Sequence, residues 1–308
     1  MLATHFPGIR TIVLDRNYGF TGGYNRAMAR LLSGPGPRPE YLLLLNSDIL
    51  VEPGWLDRLT DYMDTHPECG ICGPKLLALT HKDGAYIQTD RLEYAGAAGG
   101  YIDRFGYPFC RGRVLSRTDV DGPGYSSVKD VLWVSGACLM TRASLWEESG
   151  GLDERFFAHM EEIDYCWRAQ LAGHRVRVVP SSRVWHLGGG TLPRTSATKL
   201  RLNYRNGLLL LDNNLAPTIG RFKARVRIIT RLILDDCSAL VYLLVGKTDF
   251  CGSVFQAHRE YRRLRKVPHK AASRNGDVRG VAPVCIILQS LLRGERIFDY
   301  LRRYEDSH

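Results

Sequence analysis

The sequence predicts an α/β protein in which a mixed, mostly parallel sheet is flanked by helices and followed by a helical C-terminal region. Short apolar segments alternate with helix-like segments over the first 80 residues, which is typical of strands joined by crossover helices. After residue 190, long helix-like segments replace the strand-like ones. With 308 residues and 44% hydrophobic side chains, the chain can bury a core large enough for this architecture.

The first elements follow from apolar runs and from the residues that end them. Residues 9–14 (IRTIVL) predict a short buried strand, and a glycine-rich turn then leads into a helix at about 23–32. The continuous apolar run at 41–48 (YLLLLNSD) predicts a strand in the centre of a parallel sheet. Pro53 marks the start of an amphipathic helix, and residues 69–77 (CGICGPKLL) predict the next strand.

The alternation breaks at residues 80–128, where many Gly, Tyr and Arg residues and few periodic segments predict a long irregular excursion over the sheet edge, with room for a hairpin. Residues 131–141 (VLWVSGACLMT) predict a return to the sheet, and a helix follows at about 142–148. Residues 176–179 (VRVV) predict a further strand. The C-terminal part predicts a polar linker at 268–280 and helices at 200–215, 221–246, 253–266 and 283–303.

The excess positive charge is confined to the C-terminal part. Residues 1–190 carry 20 Lys or Arg and 22 Asp or Glu, whereas residues 191–308 carry 22 and 10. The basic segment predicts peripheral contact with an anionic membrane surface. Nucleic acid is not expected as a partner, because the sequence has no zinc-finger spacing and no aromatic RNA-binding motif. The scattered cysteines and the absence of a signal-peptide pattern predict a cytoplasmic protein, peripheral to the inner face of the cell membrane.

The most apolar C-terminal segment, residues 226–245, is not predicted to cross a membrane. No run of about 18 uncharged apolar residues is present, and this segment contains four charged residues, Arg227, Arg231, Asp235 and Asp236. Its pattern favours a helix that lies against protein or along a membrane interface.

Acidic residues concentrate at two places where they indicate chemistry. Glu161, Glu162 and Asp164 fall within four residues, and carboxylates this crowded raise one another's pKa and are costly to bury. Asp48 ends the apolar run at 41–48, and His186 follows the strand at 176–179. A carboxylate at a strand tip, with a distant acidic cluster and a histidine, predicts metal-assisted group transfer. The alternatives are a solvated helix start, a helix-capping Asp48 and a histidine that only packs in the core.

Several motifs, taken together, carry a resemblance to a known family. They are Asn17-Tyr18-Gly19-Phe20 with Gly22, Gly23 and Asn25; LLLNSD ending at Asp48; VSGAC at 134–138; GLDERFF at 151–157; MEEID at 160–164 with Cys166, Trp167 and Arg168; and WHLGGGTL at 185–192. Their order over residues 9–215 resembles that of family 2 glycosyltransferases with the GT-A fold, of the bacterial rhamnosyltransferase-like type.

The resemblance implies an inverting enzyme that moves a sugar from a nucleotide-diphosphate donor to a lipid-linked or polysaccharide acceptor in cell-surface glycan synthesis. The diphosphate leaving group implies Mg²⁺ or Mn²⁺, which oxygen ligands and phosphate suit. Asp48 is similar to the last acid of the family's D-x-D motif, and His186 resembles the histidine that can complete the metal shell. The donor-binding residues so implied are Asn17, Gly19, Gly22, Gly23, Asn25, Asn46 and Asp48.

The same resemblance assigns catalytic roles to the acidic cluster. Glu162 falls where the family has the Asp that removes a proton from the acceptor hydroxyl, although its side chain is one methylene longer. Glu161 is the second candidate, and Asp164 is expected to orient its neighbours or to start the helix. Trp133, Gly136 and Ala137 are expected on the acceptor side, with a core position as the alternative for Trp133. Gly188–Gly190 are expected to form a loop that closes over the diphosphate.

The chain departs from the family pattern at its start, because Met1 is followed almost at once by what resembles the family's second strand. About one βα unit that normally holds the nucleotide base is not seen. The alternative function is therefore an inactive GT-A fragment or a scaffold protein. We divide the chain into a catalytic domain at 1–192, a basic amphipathic helical region at 193–267, and a linker with a terminal helix at 268–308.

Overall fold

The structure is a computed structural model and describes residues 2–188, 196–269 and 276–307. The α-helices in these ranges are α1 (Leu2–His5), α2 (Gly19–Leu32), α3 (Trp55–Thr65), α4 (Ala143–Ser149), α5 (Glu161–Leu171), α6 (Ala197–Ile219), α7 (Arg221–Leu244), α8 (Thr248–Leu264), α9 (Ile286–Arg293) and α10 (Ile297–Ser307). The strands are β1 (Tyr41–Leu45), β2 (Ile49–Val51), β3 (Cys69–Lys82), β4 (Ala85–Leu92), β5 (Gly100–Asp103), β6 (Pro108–Cys110), β7 (Arg113–Val114), β8 (Arg117–Thr118), β9 (Lys129–Asp130), β10 (Cys138–Arg142), β11 (Arg175–His186) and β12 (Val281–Ala282).

The larger sheet is mixed and has seven strands. Its order is β1-β10-β3-β11-β2, with β4 also paired to β3 and β9 to β11. β3 and β11 run parallel, whereas the other described pairs of this sheet are antiparallel. The α/β class and the mixed sheet are confirmed, but the expectation of a mostly parallel sheet is wrong for these strands. The central position predicted for the run at 41–48 is also wrong, because β1 is an edge strand in which Leu42 and Leu44 are buried and Leu45 is exposed. An apolar run fixes neither the place of a strand in a sheet nor the direction of its neighbour.

The excursion at 80–128 is more regular than the sequence predicted. β3 and β4 form a hairpin, and β5 to β8 form a second sheet with β12, which runs parallel to β5. The terminal helices cover this small sheet through an apolar cluster that includes Phe109, Val114, Ile286 and Ile297. Strands of two to four residues are too short to leave a periodic signal, which is why the second sheet was missed.

Two predicted strands are wrong in whole or in part. Residues 9–14 form no strand, and Ile9 and Val13 are 58% and 80% exposed. Only the last part of the strand predicted at 131–141 forms, because β10 begins at Cys138. The preceding residues are buried, but they are irregular and lead into a turn. Their apolar composition made them look like a strand.

The C-terminal helices belong to the same core as the sheet. α6, α7 and α8 confirm the helices predicted at 200–215, 221–246 and 253–266. Leu208–Leu211 on α6 are buried in one apolar cluster with Trp167 on α5 and Trp133. Among the described helices, none has both the length and the apolarity that crossing a bilayer requires. The domain boundaries remain a prediction, and residue 192 lies outside the described residues.

Candidate active site

Antiparallel pairing of β2 with β11 brings Asp48 next to His186. Ile49 is paired with His186, and the backbone N–H of Leu187 donates to the carbonyl of Asp48 at 3.1 Å. The side chains then meet, because Nε2 of His186 lies 3.3 Å from Oδ1 of Asp48 and 3.5 Å from Nδ2 of Asn46. The strand tip therefore collects one carboxylate, one amide and one imidazole.

A buried carboxylate, Glu93, lies on the other side of the imidazole. Its Oε1 is 3.4 Å from Nδ1 of His186, and its second oxygen accepts a hydrogen bond from the backbone N–H of Ala95. Burial lowers the pKa of His186, but the carboxylates of Glu93 and Asp48 outweigh burial and raise it above the ordinary value. Glu93 thus favours a proton on Nδ1 and leaves Nε2 directed toward Asp48.

The turn at 135–138 connects this strand tip to the acidic helix. The backbone N–H of Asn46 donates to the carbonyl of Ala137 at 2.9 Å. Gly136 precedes Ala137 in this turn, and a Cβ built on Gly136 would lie 3.5 Å from Cβ of Glu162 and 3.3 Å from the ring of Phe20. One turn therefore contacts both the end of β1 and the first residues of α5, so the two acidic motifs converge in space.

Glu161 and Glu162 begin α5 and are held in an environment that disfavours their charge. Burial raises the pKa of Glu162 to about 7, although backbone N–H groups at the helix start favour its charged form. Burial, followed by repulsion from Glu162, raises the pKa of Glu161 well above its ordinary value. One side-chain oxygen of each residue is buried without a hydrogen-bond partner. Glu162 is therefore suited to take up a proton near neutral pH.

A strained loop precedes these two residues. Phe157, His159 and Met160 have φ values of 63°, 70° and 69°, in the left-handed region that non-glycine residues rarely adopt. Asn206 on α6 holds the loop, because its Nδ2 donates to the carbonyls of Phe156, Ala158 and His159 at 3.1, 2.8 and 2.7 Å. The C-terminal helices thus fix the backbone that carries Glu161 and Glu162.

Asp164 occupies a different environment from the two glutamates. It is fully buried, and its Oδ2 accepts from Nε of Arg168 at 2.7 Å. Its Oδ1 accepts from the amides of Asn213 and Asn214, each at 2.8 Å. Because both oxygens are engaged, this geometry favours the orienting role over proton transfer.

The predicted donor-binding residues at 17–25 contact the loop at 151–157. Nδ2 of Asn25 donates to the carbonyl of Leu152, whose N–H donates back to Oδ1 of Asn25, at 2.8 and 2.9 Å. Gly19 has φ +74°, and a Cβ there would lie 2.6 Å from the ring of Phe157. Its N–H donates to Oδ1 of Asn17. These three residues therefore have structural contacts of their own, which join α2 to the loop before the acidic helix.

The other glycines expected to bind donor differ in their surroundings. A Cβ on Gly22 would meet the guanidinium of Arg26 at 2.9 Å, whereas Gly23 has no heavy atom near that position and is open. Of the glycine loop expected over the diphosphate, Gly188 is described with φ +58°, and Gly189 and Gly190 lie outside the described residues.

The acceptor-side predictions separate in the structure. Trp133 is buried, its Nε1 donates to the carbonyl of Tyr101, and its ring lies against Gly100, where a Cβ would be only 1.9 Å away. This is a core position. Gly136 and Ala137, by contrast, belong to the turn at the site.

Two functional candidates were missed, and each gave only a weak signal. Glu93 stands in the glycine- and alanine-rich stretch EYAGAAGG, and Asn206 interrupts an apolar helical run as part of YRNG.

A cavity of about 790 Å³ lies away from this site, between α3, β9 and β12. Its lining includes Tyr62, Lys129 and Arg177.

The residues at the strand tip fit a divalent cation that also binds phosphate. Within the described ranges, no group of three or more His, Cys, Asp or Glu side chains is arranged to hold a metal ion. Asp48 and Nε2 of His186 would supply two ligands, and this leaves positions for diphosphate oxygens and water. Asp48 is partly exposed, so a ligand from solvent can reach it.

Comparison with known proteins identifies the family. A model described as "Glycosyltransferase like family 2" matches residues 2–207. The chain belongs to this glycosyltransferase family. Together with the mixed sheet and its flanking helices, the match confirms the GT-A fold expected from the motifs.

Two of the curated relatives of this glycosyltransferase are named as rhamnosyltransferases. The N-acetylglucosaminyl-diphospho-decaprenol L-rhamnosyltransferase of Mycobacterium tuberculosis is 28% identical over 211 residues, 67% of this chain and 67% of the relative. Rhamnosyltransferase WbbL of Escherichia coli is 26% identical over 186 residues, 60% of this chain and 66% of the relative. A solved mannosyltransferase from Pyrobaculum calidifontis, in complex with GDP-Man and Mn²⁺, has a TM-score of 0.43 at 10% identity, covering 84% of this chain and 71% of its own.

Proposed function

We propose that this family 2 glycosyltransferase is an inverting, metal-dependent enzyme that moves a sugar from a nucleotide-diphosphate donor to a lipid-linked or polysaccharide acceptor in cell-surface glycan synthesis. The observation that carries the proposal is the turn at 135–138, which accepts a hydrogen bond from Asn46 at Ala137 and lies next to Glu162 at Gly136. A group suited to diphosphate and a group suited to proton removal therefore lie beside the same turn.

At the strand tip, Asp48 and His186 would hold Mg²⁺ or Mn²⁺ together with the donor diphosphate. The cation would supply neutralisation of the charge that develops on the leaving diphosphate. Asn46 stands at the first position of the D-x-D-like motif and adds an amide without a further negative charge. Glu93 is a positioning residue here, because it contacts Nδ1 of His186 and so orients the ring.

Glu162 would remove the proton from the acceptor hydroxyl as that oxygen attacks the anomeric carbon. A base with a pKa of about 7 is half ionised near neutral pH and is still a strong proton acceptor. Attack on the face opposite the diphosphate inverts the configuration. Glu161 is the alternative base, and Asp164 orients the start of α5 through Arg168.

The relatives and the charge distribution support a lipid-linked acceptor at a membrane surface. One curated relative is named for a decaprenol-linked acceptor. The +12 balance of residues 191–308, from 22 basic and 10 acidic side chains, suits peripheral contact with anionic lipid at the inner face of the cell membrane. Rhamnose from a dTDP donor is the first pair to test, because both relatives are named rhamnosyltransferases.

Calorimetric titration of UDP and dTDP into the purified chain, with and without Mn²⁺, tests the donor site. We expect binding that requires the metal and that Asp48→Ala abolishes, while Asp57→Ala in the first turn of α3 leaves it unchanged. Binding that is equally strong without metal would contradict the metal role. If neither nucleotide binds with or without metal, the alternative of an inactive GT-A fragment or scaffold is favoured.

A further inference from the structure

Helix α7 buries an ion pair on the side that faces the protein and exposes apolar side chains on the opposite side. Arg231 and Asp235, one helical turn apart, have side chains that are 3% and 0% exposed, and Nε of Arg231 donates to Oδ1 of Asp235 at 2.7 Å. Nη1 of Arg231 also donates to the carbonyl of Gly106 at 3.1 Å, and its guanidinium lies 4.0 Å from the centre of the Tyr107 ring. The contact of α7 with the rest of the protein therefore combines this ion pair with apolar side chains, among them Ala224, Ile228 and Leu232.

The opposite face of α7 is a continuous apolar stripe. We define the α7 stripe as Phe222, Val226, Ile229, Ile233, Leu240 and Leu244, which are between 48% and 80% exposed. They recur every three or four residues, apart from one step of seven, where the exposed Cys237 fills the gap. At 3.6 residues per turn this spacing places them on one side along the whole helix. A helix that buries an ion pair and exposes such a stripe needs an apolar environment outside the protein.

The charges around the stripe favour anionic lipid over a second copy of the chain. Lys223 and Arg225 are exposed and, from the helical spacing, flank the stripe on opposite sides. The acidic residues of α7 are Asp235, which is buried, and Asp236, which is 53% exposed but has its Oδ1 3.5 Å from Nδ1 of His258. Neither end of the helix offers an acid to a partner's cations. An amphipathic helix with cations beside its apolar face is the pattern that binds at a bilayer interface.

We propose that the α7 stripe inserts into the interfacial region of an anionic bilayer, with the helix lying in the plane of the membrane. This rests on and deepens the membrane contact of the proposed function, because it assigns that contact to one face of one helix. The buried pair of Arg231 and Asp235 keeps the opposite face attached to the 103–107 turn, so the stripe stays directed away from the protein.

Cys237 provides a direct probe, because it lies within the stripe and is exposed. We would label it with an environment-sensitive fluorophore after Cys251→Ser and Cys285→Ser, and add vesicles of phosphatidylglycerol and phosphatidylcholine. We expect a blue-shifted emission that is quenched by lipids brominated on their acyl chains. Vesicles of phosphatidylcholine alone should bind much more weakly. Binding without quenching at Cys237 would overturn the proposal, because another surface would then hold the membrane.

Matched variants separate the stripe from general surface hydrophobicity. Ile229→Gln, Ile233→Gln and Leu240→Gln together should reduce vesicle co-sedimentation at least about tenfold. Three similarly exposed apolar residues elsewhere, Ile87, Val120 and Val128, serve as the control, and their change to Gln should alter binding by less than about twofold. Equal loss in both triple variants would overturn the proposal.

The vesicle assays need neither donor nor acceptor, so they distinguish failure of this inference from failure of glycosyl transfer. A urea unfolding midpoint close to that of the wild type shows that the stripe variant is folded. Lys223→Gln with Arg225→Gln should weaken binding to the anionic vesicles and reduce its salt dependence. The proposal would be rejected if, without lipid, the fluorescence changes with protein concentration and sedimentation analysis shows a dimer that the stripe variant lacks. The stripe would then be assigned to contact with a second copy of the chain.

Discussion

Glu162→Gln should abolish transfer and make the protein more stable at alkaline pH. Burial raises the pKa of Glu162 from 4.5 to about 7, so the folded protein binds this proton more tightly than the unfolded chain. Stability therefore falls as pH rises from about 4.5 to 7, and the loss is complete above that window. A shift of roughly 2.5 units at 1.36 kcal/mol each corresponds to about 3 kcal/mol. The isosteric amide removes the ionisation and hence this cost.

Urea unfolding of wild type and Glu162→Gln at two pH values measures the effect. At pH 8 we expect the variant to gain up to about 3 kcal/mol, and at pH 5 less than about 1 kcal/mol, because the wild-type carboxyl is then protonated in the folded state. Glu148→Gln, at an exposed position of α4, is the matched control and should show no such pH-dependent gain. Transfer activity of Glu162→Gln should fall by at least about a hundredfold, the usual contribution of a general base.

If Glu162→Gln raises the free energy of unfolding no more at pH 8 than at pH 5, the folded protein does not disfavour the charged form of Glu162. Retained activity in Glu162→Gln, with loss in Glu161→Gln, would move the base to Glu161. In the wild type, kcat/KM should rise with pH through about 7 as Glu162 loses its proton. A profile that falls through this range would refute the assignment of a base to either glutamate.

Three further changes test the surrounding framework. Asp48→Asn should lower the pKa of His186, because the charge of Asp48 favours the protonated ring. NMR titration of His186 measures this change, and an unchanged pKa would show that the two side chains are not in contact. Gly19→Ala should destabilise by about 1–3 kcal/mol in urea, since it combines φ +74° with a clash at Phe157, and wild-type stability would contradict this geometry. Asn206→Ala should lower kcat and leave the carbonyls of Ala158 and His159 without their donor, at a cost of about 1–3 kcal/mol, whereas an effect on KM alone would argue against its positioning role.

Local patterns predicted the residues whose chemistry depends on position along one element. Asp48 follows an apolar strand, and Glu161 and Glu162 begin a helix after a turn, so their secondary structure could be read from neighbouring residues. Glu93 could not be found in this way. It contacts His186 across a separation of 93 residues, and its stretch has no periodic pattern to show which way its side chain points.

Strand direction and the second sheet depended on contacts that the sequence does not show. The apolar run of β1 predicted a central strand, but β1 lies at the sheet edge, and its antiparallel pairing with β10 involves residues about 100 positions away. The small sheet needs β12, which joins β5 from the C-terminal part of the chain. Such pairings are decided by packing of distant segments, and local propensity carries little information about them.

Helix α6 links the proposed membrane face to the acidic site through adjacent residues. Asn206 binds the strained loop before Glu161, and a Cβ on its neighbour Gly207 would lie 3.1 Å from Nη2 of Arg231, the residue that fixes α7. Arg231 is held by Asp235 and by the carbonyl of Gly106, so it has little freedom to move aside. A larger side chain at Gly207 should therefore displace α7, α6 or both. Because α6 also holds the loop, the region at 193–267 should not fold and function independently of the catalytic domain.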